Sequence, residues 1–344
     1  MQTNTVKKQN NTVGALKKVV KRNEFILFIV LAAMWIILRI CNEGFTSAAN
    51  ILTIIKSLSF YGIVAAGMSW VMINGDIDLS VGAAASFGSV FSTWFMLKTN
   101  CFGMMNGESE WLGAAMCVAV TLVIAIAIGF LNGVMMVTLK LPAFIATVAM
   151  KYTLSGVVVI ITNGTPVYPL PASFDAFGKD GIPIAGAKLS YFFLIMLALI
   201  IASELILRFT TFGRSIYATG SNTQAAKLSG INTSRVRYIS LMVVSVLAAF
   251  AGSMNAAYIG QGSIQVGTDW EMMVIATCVI GGVNMSGGAG NLVGVFIGLF
   301  IINTLNSAIA MMGVNPFLQE VLLGIMLMAI VAIDAFREKR KIKA

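Results

Sequence analysis

The chain has 344 residues, of which 58% are hydrophobic and only 11% are charged, and its formal net charge is +9. A soluble globular protein is about 45–50% apolar and about 25% charged, so this composition excludes an ordinary water-facing surface and indicates a membrane protein. The chain has no histidine, which excludes histidine-based catalytic triads and metal sites. No phosphate-binding motif GxxxxGK[ST] occurs, so the chain is not predicted to hydrolyse ATP.

The first 24 residues are polar and basic and precede a long apolar run without a small-residue cleavage site, so we predict a basic tail over 1–24 and a retained first helix. Nine more apolar segments follow. Since a helical span needs about 20 residues, we predict an all-α, polytopic membrane bundle of about ten transmembrane helices. After the first run, the predicted spans are 51–73, 80–98, 111–137, 142–163, 189–210, 238–259, 270–285, 290–311 and 317–336.

The basic residues indicate the orientation of this bundle. Most of the Lys and Arg lie in three segments, 1–24, 208–237 and the C-terminal tail 337–344, and ten spans place all three on one side. The positive-inside rule makes that side cytoplasmic, and the external loops hold almost nothing basic beyond Lys179 and Lys188. The charge is therefore interpreted as a topology signal and not as nucleic-acid binding. Residues 25–336 are predicted to form a single transmembrane domain.

The stretch NGDIDLSVG, from Asn74 to Gly82, places two carboxylates between apolar segments. A charge in the hydrocarbon costs at least about 2.5 kcal/mol, so Asp76 and Asp78 should lie at an interface, face a watery cavity or be partnered. In the alternative interpretation, Ser80 simply caps the following helix.

Two loops come next in the chain. Residues 164–188 hold four of the six prolines and are predicted to lie outside, either capping the bundle, meeting an external partner or serving as a connector. The cytoplasmic loop 211–237 contains a predicted short helix through Asn222–Ser229, capped by Ser221 or Asn222 and ended by Gly230. Its small apolar patch, formed by Ala225, Ala226 and Leu228, suits a groove on another protein; the alternative is an ordinary connector.

The stretch GGVNMSGGAG, from Gly281 to Gly290, interrupts the apolar pattern of the second half. It matches the earlier motif at a constant offset, pairing Asp78, Ser80 and Gly82 with Asn284, Ser286 and Gly288. A second match, at a different offset, pairs Leu131, Asn132 and Pro142 with Leu305, Asn306 and Pro316. Glycine-interrupted segments in corresponding positions of two halves point to a translocation site, and an internal repeat is a possible interpretation.

Together these motifs resemble the membrane permease subunits of bacterial ABC sugar importers of the ribose, xylose and galactose type. The resemblance covers the chain from about residue 25 onward. It rests on GDIDLSVG (75–82), LPAFIAT (141–147), FGRSIYATGSNTQAAKLSGI (212–231), VIGGVNMSGGAGNLVGVFIG (279–298) and LNSAIAMMGVNPFLQEVLLGI (305–325). Asn74 stands where the family usually has a second glycine, and 150–155 departs from the family's usual threonine-glycine stretch.

The resemblance implies a permease subunit in the bacterial inner membrane, with no ATPase site and no cofactor of its own. It implies a second permease subunit, identical or closely related, two cytoplasmic ABC ATPase subunits, and a periplasmic or lipid-anchored sugar-binding protein. The segment from Gly220 to Gly230 matches the family's ATPase-contacting loop. The predicted coupling residues are therefore Gly220, Asn222, Ala225, Ala226, Leu228 and Gly230.

A neutral sugar requires polar and aromatic contacts but no ion-pair clamp. The predicted substrate-path residues are Asn74, Asp76, Asp78, Ser80, Asn284 and Ser286, with Asn255, Gln261 and Gln265 as weaker candidates. The alternative function is a secondary transporter driven by an ion gradient. It is disfavoured because the few other acidic residues of the spans, Glu204, Glu271 and Glu320, are predicted near span ends.

Overall fold

A computed structural model of the chain describes residues 23–313, except 106, 108, 185 and 186, and beyond them only 321, 324, 325 and 328. The tails 1–22 and 337–344 lie outside the described residues, as does most of the predicted last span, 317–336. The longer helices are α1 (Asn23–Cys41), α2 (Ala48–Ile73), α3 (Val81–Lys98), α4 (Glu110–Gly133), α5 (Ala143–Thr162), α6 (Ala172–Lys179), α7 (Tyr191–Phe209), α8 (Thr211–Ser221), α9 (Thr223–Leu228), α10 (Thr233–Ile259), α11 (Trp270–Ile280) and α12 (Leu292–Met311).

Shorter elements complete the described chain. A 3-10 turn covers Glu43–Thr46, a four-residue helical turn covers Asn100–Gly103, and a π-helical turn, Val134–Thr138, extends α4. Strands β1 (Gly181–Ile184) and β2 (Ala187–Ser190) form an antiparallel hairpin in which Gly181 faces Ser190 and Ile184 faces Ala187. The proline-rich loop predicted from the sequence thus contains α6 and this hairpin.

Seven of the described helices are long and apolar enough to cross a membrane: α1, α2, α4 with its π-helical turn, α5, α7, α10 and α12. The chain is therefore a polytopic helical membrane protein. Each predicted span up to 290–311 corresponds to a helix, but α11 has only 11 residues. Eleven residues rise about 16 Å, roughly half of the hydrocarbon core of about 30 Å, so α11 is not a complete span.

Polar side chains define where several of these helices begin. Thr210 Oγ1 accepts a hydrogen bond from Gly213 N at 3.0 Å, and Asn291 Oδ1 accepts one from Gly294 N at 2.7 Å. Asn232 Oδ1 accepts one from Arg235 N at 3.0 Å. Each bond satisfies a backbone donor of the first helical turn that has no partner inside the helix, so these residues set the helix starts near the loops.

Helix α10 lies at the centre of the bundle and packs against α2, α3 and α4. Glycines permit the closest approaches: a Cβ at Gly252 would lie 1.8 Å from Ala85 O, and one at Gly129 would lie 2.5 Å from Leu241 O. Lipid tails are as apolar as the side chains, so the hydrophobic effect does not drive such helices together. Close van der Waals packing of small residues holds them together instead.

The bundle has two ends that differ in their loops. The turn 74–80, the segment 211–232 and the turn 281–291 meet at one end, which we call the basic end; α6 and the β hairpin lie at the other, which we call the hairpin end. Asn291 at the start of α12 donates to Glu24 at the start of α1 at 2.9 Å, so α1 also begins at the basic end. The last turns of α1 and α3 therefore place Arg39 and Lys98 at the hairpin end, in addition to Lys179 and Lys188.

The two sequence matches between the halves do not describe one symmetry. Asp78 Oδ1 accepts from Ser80 N at 2.8 Å, and Asn284 Oδ1 accepts from Ser286 N at 3.0 Å, so the first match is a shared local turn at the basic end. In the second match, Asn132 lies in the last turn of α4 at the basic end, whereas Asn306 lies far along α12 toward the hairpin end. One repeat operation cannot relate both pairs.

Candidate functional site

The turn 74–80 contains an ion pair at the basic end. Arg237, in the second turn of α10, donates from Nε to Asp76 Oδ2 and from Nη2 to Asp76 Oδ1, both at 2.6 Å. The planar guanidinium matches the two carboxylate oxygens, which makes this a strong and directional contact. Asp76 is therefore a partnered carboxylate that ties the turn to α10.

Asp78 is fully buried and organises the same turn from the other side. Its Oδ1 accepts hydrogen bonds from Ser80 N at 2.8 Å and Ser80 Oγ at 2.6 Å, and its Oδ2 accepts one from Asn132 at 3.3 Å. Burial raises the pKa of the Asp78 carboxyl, while the hydrogen bonds from Ser80 and Asn132 act in the opposite direction. The alternative in which Ser80 caps α3 is wrong, because its hydroxyl donates to Asp78 and makes no cap bond.

The two turns from the two halves of the chain contact each other. Gly288 N donates to Ile73 O, the last residue of α2, at 2.8 Å. Asn74 ends α2 and donates from Nδ2 to Ser240 of α10 at 2.8 Å. The predicted substrate-path residues Asn74, Asp76, Asp78, Ser80, Asn284 and Ser286 therefore share one end of the bundle. None of the cavities described below is lined by any of these six residues.

The segment 211–232 packs directly on these turns. A Cβ at Gly220 would lie 1.8 Å from Ile73 O and 2.6 Å from Gly288 N. Tyr217 donates its hydroxyl to Gly290 O at 2.8 Å. Gly220, a predicted coupling residue, thus packs in one cluster with the predicted substrate-path turns. From the sequence, these are predicted as two separate sites.

The short helix of this segment has the predicted ends. Asn222 Oδ1 accepts from Gln224 N at 3.1 Å and Ala225 N at 3.0 Å, and Gly230 has a left-handed φ of 83°. The predicted apolar patch needs one correction: Ala226 is buried within the chain, whereas Leu228 is 91% exposed. Ala225 and Leu228 remain exposed, so the patch available to a partner is smaller than the sequence indicates.

The span that contains α11 is broken, a feature the sequence analysis missed. Residues 260–269 form no regular helix before α11 begins at Trp270. Ser263 N donates to Ser89 Oγ at 3.2 Å, Ser86 donates to Ile264 O at 3.1 Å, and a Cβ at Gly267 would lie 2.0 Å from Gly82 O. The segment therefore runs along α3 toward the basic end. Non-helical backbone at membrane depth is tolerated only inside protein or beside water.

A buried ion pair lies where this extended segment meets α11. Lys151 of α5 contacts Glu271, whose side chain is 2% exposed, while that of Lys151 is 36% exposed. Glu271 Oε2 has no hydrogen-bond partner within the described chain. A cavity of about 200 Å³ adjoins the pair and is lined by Lys151, Ser155, Gly82 and Ser86 together with the extended segment. The glycines and Asp269 of GQGSIQVGTDW are the sequence signal for this break.

A second cavity, of about 270 Å³, lies on the other side of the extended segment. We call it the aromatic cavity; it is lined by Ser57, Phe60, Tyr61, Asn255, Tyr258, Ile259, Ser263, Gln265, Val266 and Trp270. Two of the weaker substrate candidates, Asn255 and Gln265, thus meet in one cavity. The third, Gln261, lines a separate cavity of about 620 Å³ with Tyr168, Asp175 and Lys179 at the hairpin end.

The sequence of the chain is similar to those of known import permeases. A family model described as branched-chain amino acid transport system, permease component, matches residues 50–331. The ribose import permease protein RbsC of Bacillus subtilis (strain 168) is 32% identical over 321 residues, which cover 89% of this chain and 91% of that protein.

Two further relatives come from Escherichia coli (strain K12). Its ribose import permease protein RbsC is 31% identical over 310 residues, covering 89% of this chain and 92% of that protein. Its galactose/methyl galactoside import permease protein MglC is 26% identical over 318 residues, covering 92% of this chain and 95% of that protein. No solved structure matches the chain.

Proposed function

The chain belongs to the family of branched-chain amino acid transport system permease components, and from this membership we propose that it is the transmembrane permease subunit of an ATP-binding cassette importer. It forms the translocation pathway for a monosaccharide across the inner membrane. The relatives named as ribose and galactose import permeases support this substrate class, because they align over most of the chain. ATP is hydrolysed on separate partner subunits.

The observation that carries the proposal is the packing of the 211–232 segment on the two turns at the basic end. Gly220 lies against Ile73 and Gly288, and Tyr217 bonds to Gly290, so this segment touches the ends of both α2 and the broken span. A force applied to the segment is passed directly to two membrane helices. Such a contact suits a subunit that receives its driving force from outside the membrane.

In this proposal the basic end faces the cytoplasm, and ATPase subunits dock on α9. The exposed Leu228 and Ala225 enter a groove of the ATPase, while Asn222 and Gly230 hold the helix ends in place. Closure of the ATPase pair on ATP displaces this segment and shifts the bundle between two states of access. The packed turns that hold Asn74, Asp76, Asp78, Ser80, Asn284 and Ser286 then act as a cytoplasmic barrier that opens for solute release.

The other partners follow from the same orientation. An external sugar-binding protein delivers the solute at the hairpin end, where α6 and the β hairpin cover the bundle. A second permease subunit and membrane lipid cover the outer faces, which expose apolar side chains such as Ile160, Phe144 and Tyr152 of α5. Tyr152 is 73% exposed in the single chain.

Charge placed on α9 tests the proposal. Leu228→Glu is expected to prevent the ATPase from co-purifying with the permease and to abolish ATP-dependent uptake in vesicles, while the protein still accumulates in the membrane. Ser234→Glu is the matched control, because it adds the same charge to an exposed residue of the same end outside α9. Normal co-purification with Leu228→Glu would contradict docking on α9. Solute accumulation by wild-type protein without ATPase, on a proton or sodium gradient, would overturn the proposed function.

A further inference from the structure

The aromatic cavity combines two kinds of surface, aromatic rings and side-chain amides. Tyr258 stacks on Phe60 at 5.9 Å and 29°, Trp270 stacks on Phe60 at 6.4 Å and 26°, and Tyr61 tilts against Trp270 at 5.2 Å. The amides of Asn255 and Gln265 complete the lining, and within the described chain neither amide has a hydrogen-bond partner. Flat apolar faces and free amides therefore surround one space.

The cavity carries no ionised side chain among its described lining residues. This matters because the family description names amino acids, which carry both an ammonium and a carboxylate. Lys56 Nζ lies 4.5 Å from the centroid of the Tyr258 ring and is a partner for a carboxylate, but no carboxylate among the described lining residues is a partner for an ammonium. Removing that ammonium from water without a partner is very unfavourable, so the cavity suits a zwitterion poorly. A neutral solute with many hydroxyls meets no such penalty, because amides and hydroxyls satisfy its polar groups.

The volume and the position of the cavity limit the kinds of ligand that it can hold. Its volume of about 270 Å³ is near the lower end of small-molecule sites, which occupy about 300–1,000 Å³. It also lies at the break of the span, between the extended segment 260–269 and the start of α11, beside the middle of α2. A break of this kind allows the wall of a site to move, and solute sites of membrane carriers commonly lie at such breaks near the midplane.

We propose that the aromatic cavity is a binding station for a neutral monosaccharide in transit, a step that rests on the proposed transport function. The C–H faces of the sugar ring pack on Tyr61 and Trp270. The amides of Asn255 and Gln265 bond to its hydroxyls. The station lies on the hairpin side of the basic-end turns, so solute reaches it before those turns separate.

The test uses the complete importer, with its ATPase and sugar-binding protein, in sealed vesicles. ATP-driven uptake is measured for a panel of pentoses, hexoses and deoxy sugars, with leucine as the zwitterionic comparison. For the transported sugar, Asn255→Leu and Gln265→Met are each expected to reduce uptake about tenfold. The reason is that each variant removes one polar contact to the sugar, and losing one such contact changes affinity by about this factor. ATP hydrolysis stimulated by the loaded binding protein is expected to remain, because neither residue lies near α9.

Thr153→Val is the control, because Thr153 is an exposed residue of α5 that lines none of the described cavities. Tyr61→Leu is expected to reduce uptake more than Tyr61→Phe, since only the first removes the aromatic face. Wild-type uptake by both Asn255→Leu and Gln265→Met would overturn the station while leaving the proposed function intact. Uptake of leucine by the wild type, with none of the sugars transported, would overturn the proposed function itself.

Discussion

Lys151 of α5 forms an ion pair with Glu271, the second residue of α11, across 120 positions of sequence. The pair joins a continuous span to the broken one at membrane depth, where an unpartnered charge is expensive. Helix α11 is only 11 residues long and packs against α2 and α12, and this pair joins its first turn to α5.

Removing the lysine tests that role. Lys151→Met leaves the buried Glu271 without its partner; breaking a fully buried pair costs about 3–5 kcal/mol, and the partial exposure of Lys151 reduces the loss below that range. We expect the melting temperature of the detergent-solubilised permease to fall by several degrees. The double variant Lys151→Met/Glu271→Leu should recover most of this loss, because no buried charge remains. Lys98→Met, at an exposed helix end, is the control; equal stability of the wild type and Lys151→Met would contradict the role of the pair.

The ion pair of Asp76 with Arg237 supports a second prediction, about the proposed cytoplasmic barrier. Asp76→Asn removes one of two charged partners, and a hydrogen bond to a charged group contributes about 1.5–3 kcal/mol. We expect the turn 74–80 to loosen, ATP hydrolysis without solute to rise, and uptake to fall about tenfold. Both rates are measured on the reconstituted importer.

Two variants separate this effect from a general change of charge. Asp76→Arg/Arg237→Asp restores opposite charges and should recover part of the coupling. Asp180→Asn removes the partner of Lys188 in an exposed pair at the hairpin end, and exposed pairs contribute little, so it should behave as wild type. A fully coupled Asp76→Asn importer would show that the pair plays no part in the barrier.

Asp78 leads to a different expectation, because its contacts are those of a turn. Asp78→Asn keeps an oxygen that accepts from Ser80 N. The Oδ1 of Asn132 has no hydrogen-bond partner among the described residues and supplies an acceptor for the new amide after that side chain turns over, at the loss of the bond from Asn132 Nδ2 to Ser80 Oγ. We therefore expect uptake within about twofold of wild type, whereas Asp78→Leu, which leaves buried donors unpaired, should accumulate poorly in the membrane. Loss of uptake by a well-folded Asp78→Asn protein would instead indicate a charge-dependent role.

Local features of this molecule were predictable from sequence, and long-range ones were not. The cap at Asn222 and the left-handed Gly230 depend only on neighbouring residues, and the structure confirms both. The exposure of Ala226 depends on what packs over α9, and the predicted patch was wrong there. The pairing of Lys151 with Glu271 depends on how α5 meets α11, which no spacing in the chain reveals.

The broken span shows why a hydropathy pattern is insufficient. The apolar residues of 270–285 resemble a short complete helix, yet α11 begins at Trp270 beside the middle of α2 and ends at Ile280. The missing half of the span is the extended segment 260–269, whose glycines and polar residues look like a loop outside the membrane. Its hydrogen bonds to Ser86 and Ser89 of α3 hold it within the bundle instead.

The contact of Gly220 with the ends of α2 and the broken span gives the last prediction, on force transmission. In Gly220→Ala the new Cβ would lie 1.8 Å from Ile73 O and 2.6 Å from Gly288 N, so the segment 211–232 must move away from both the end of α2 and the turn 281–291. We expect the ATPase still to bind, because α9 keeps its cap and its exposed Leu228, but ATP hydrolysis should no longer drive uptake. Co-purification and uptake per ATP hydrolysed measure the two steps separately. Gly156→Ala is the matched control, since a Cβ there meets no atom of the described residues within 4 Å and alanine favours the helix. If Gly220→Ala transports with wild-type coupling, the force reaches the membrane helices by another route.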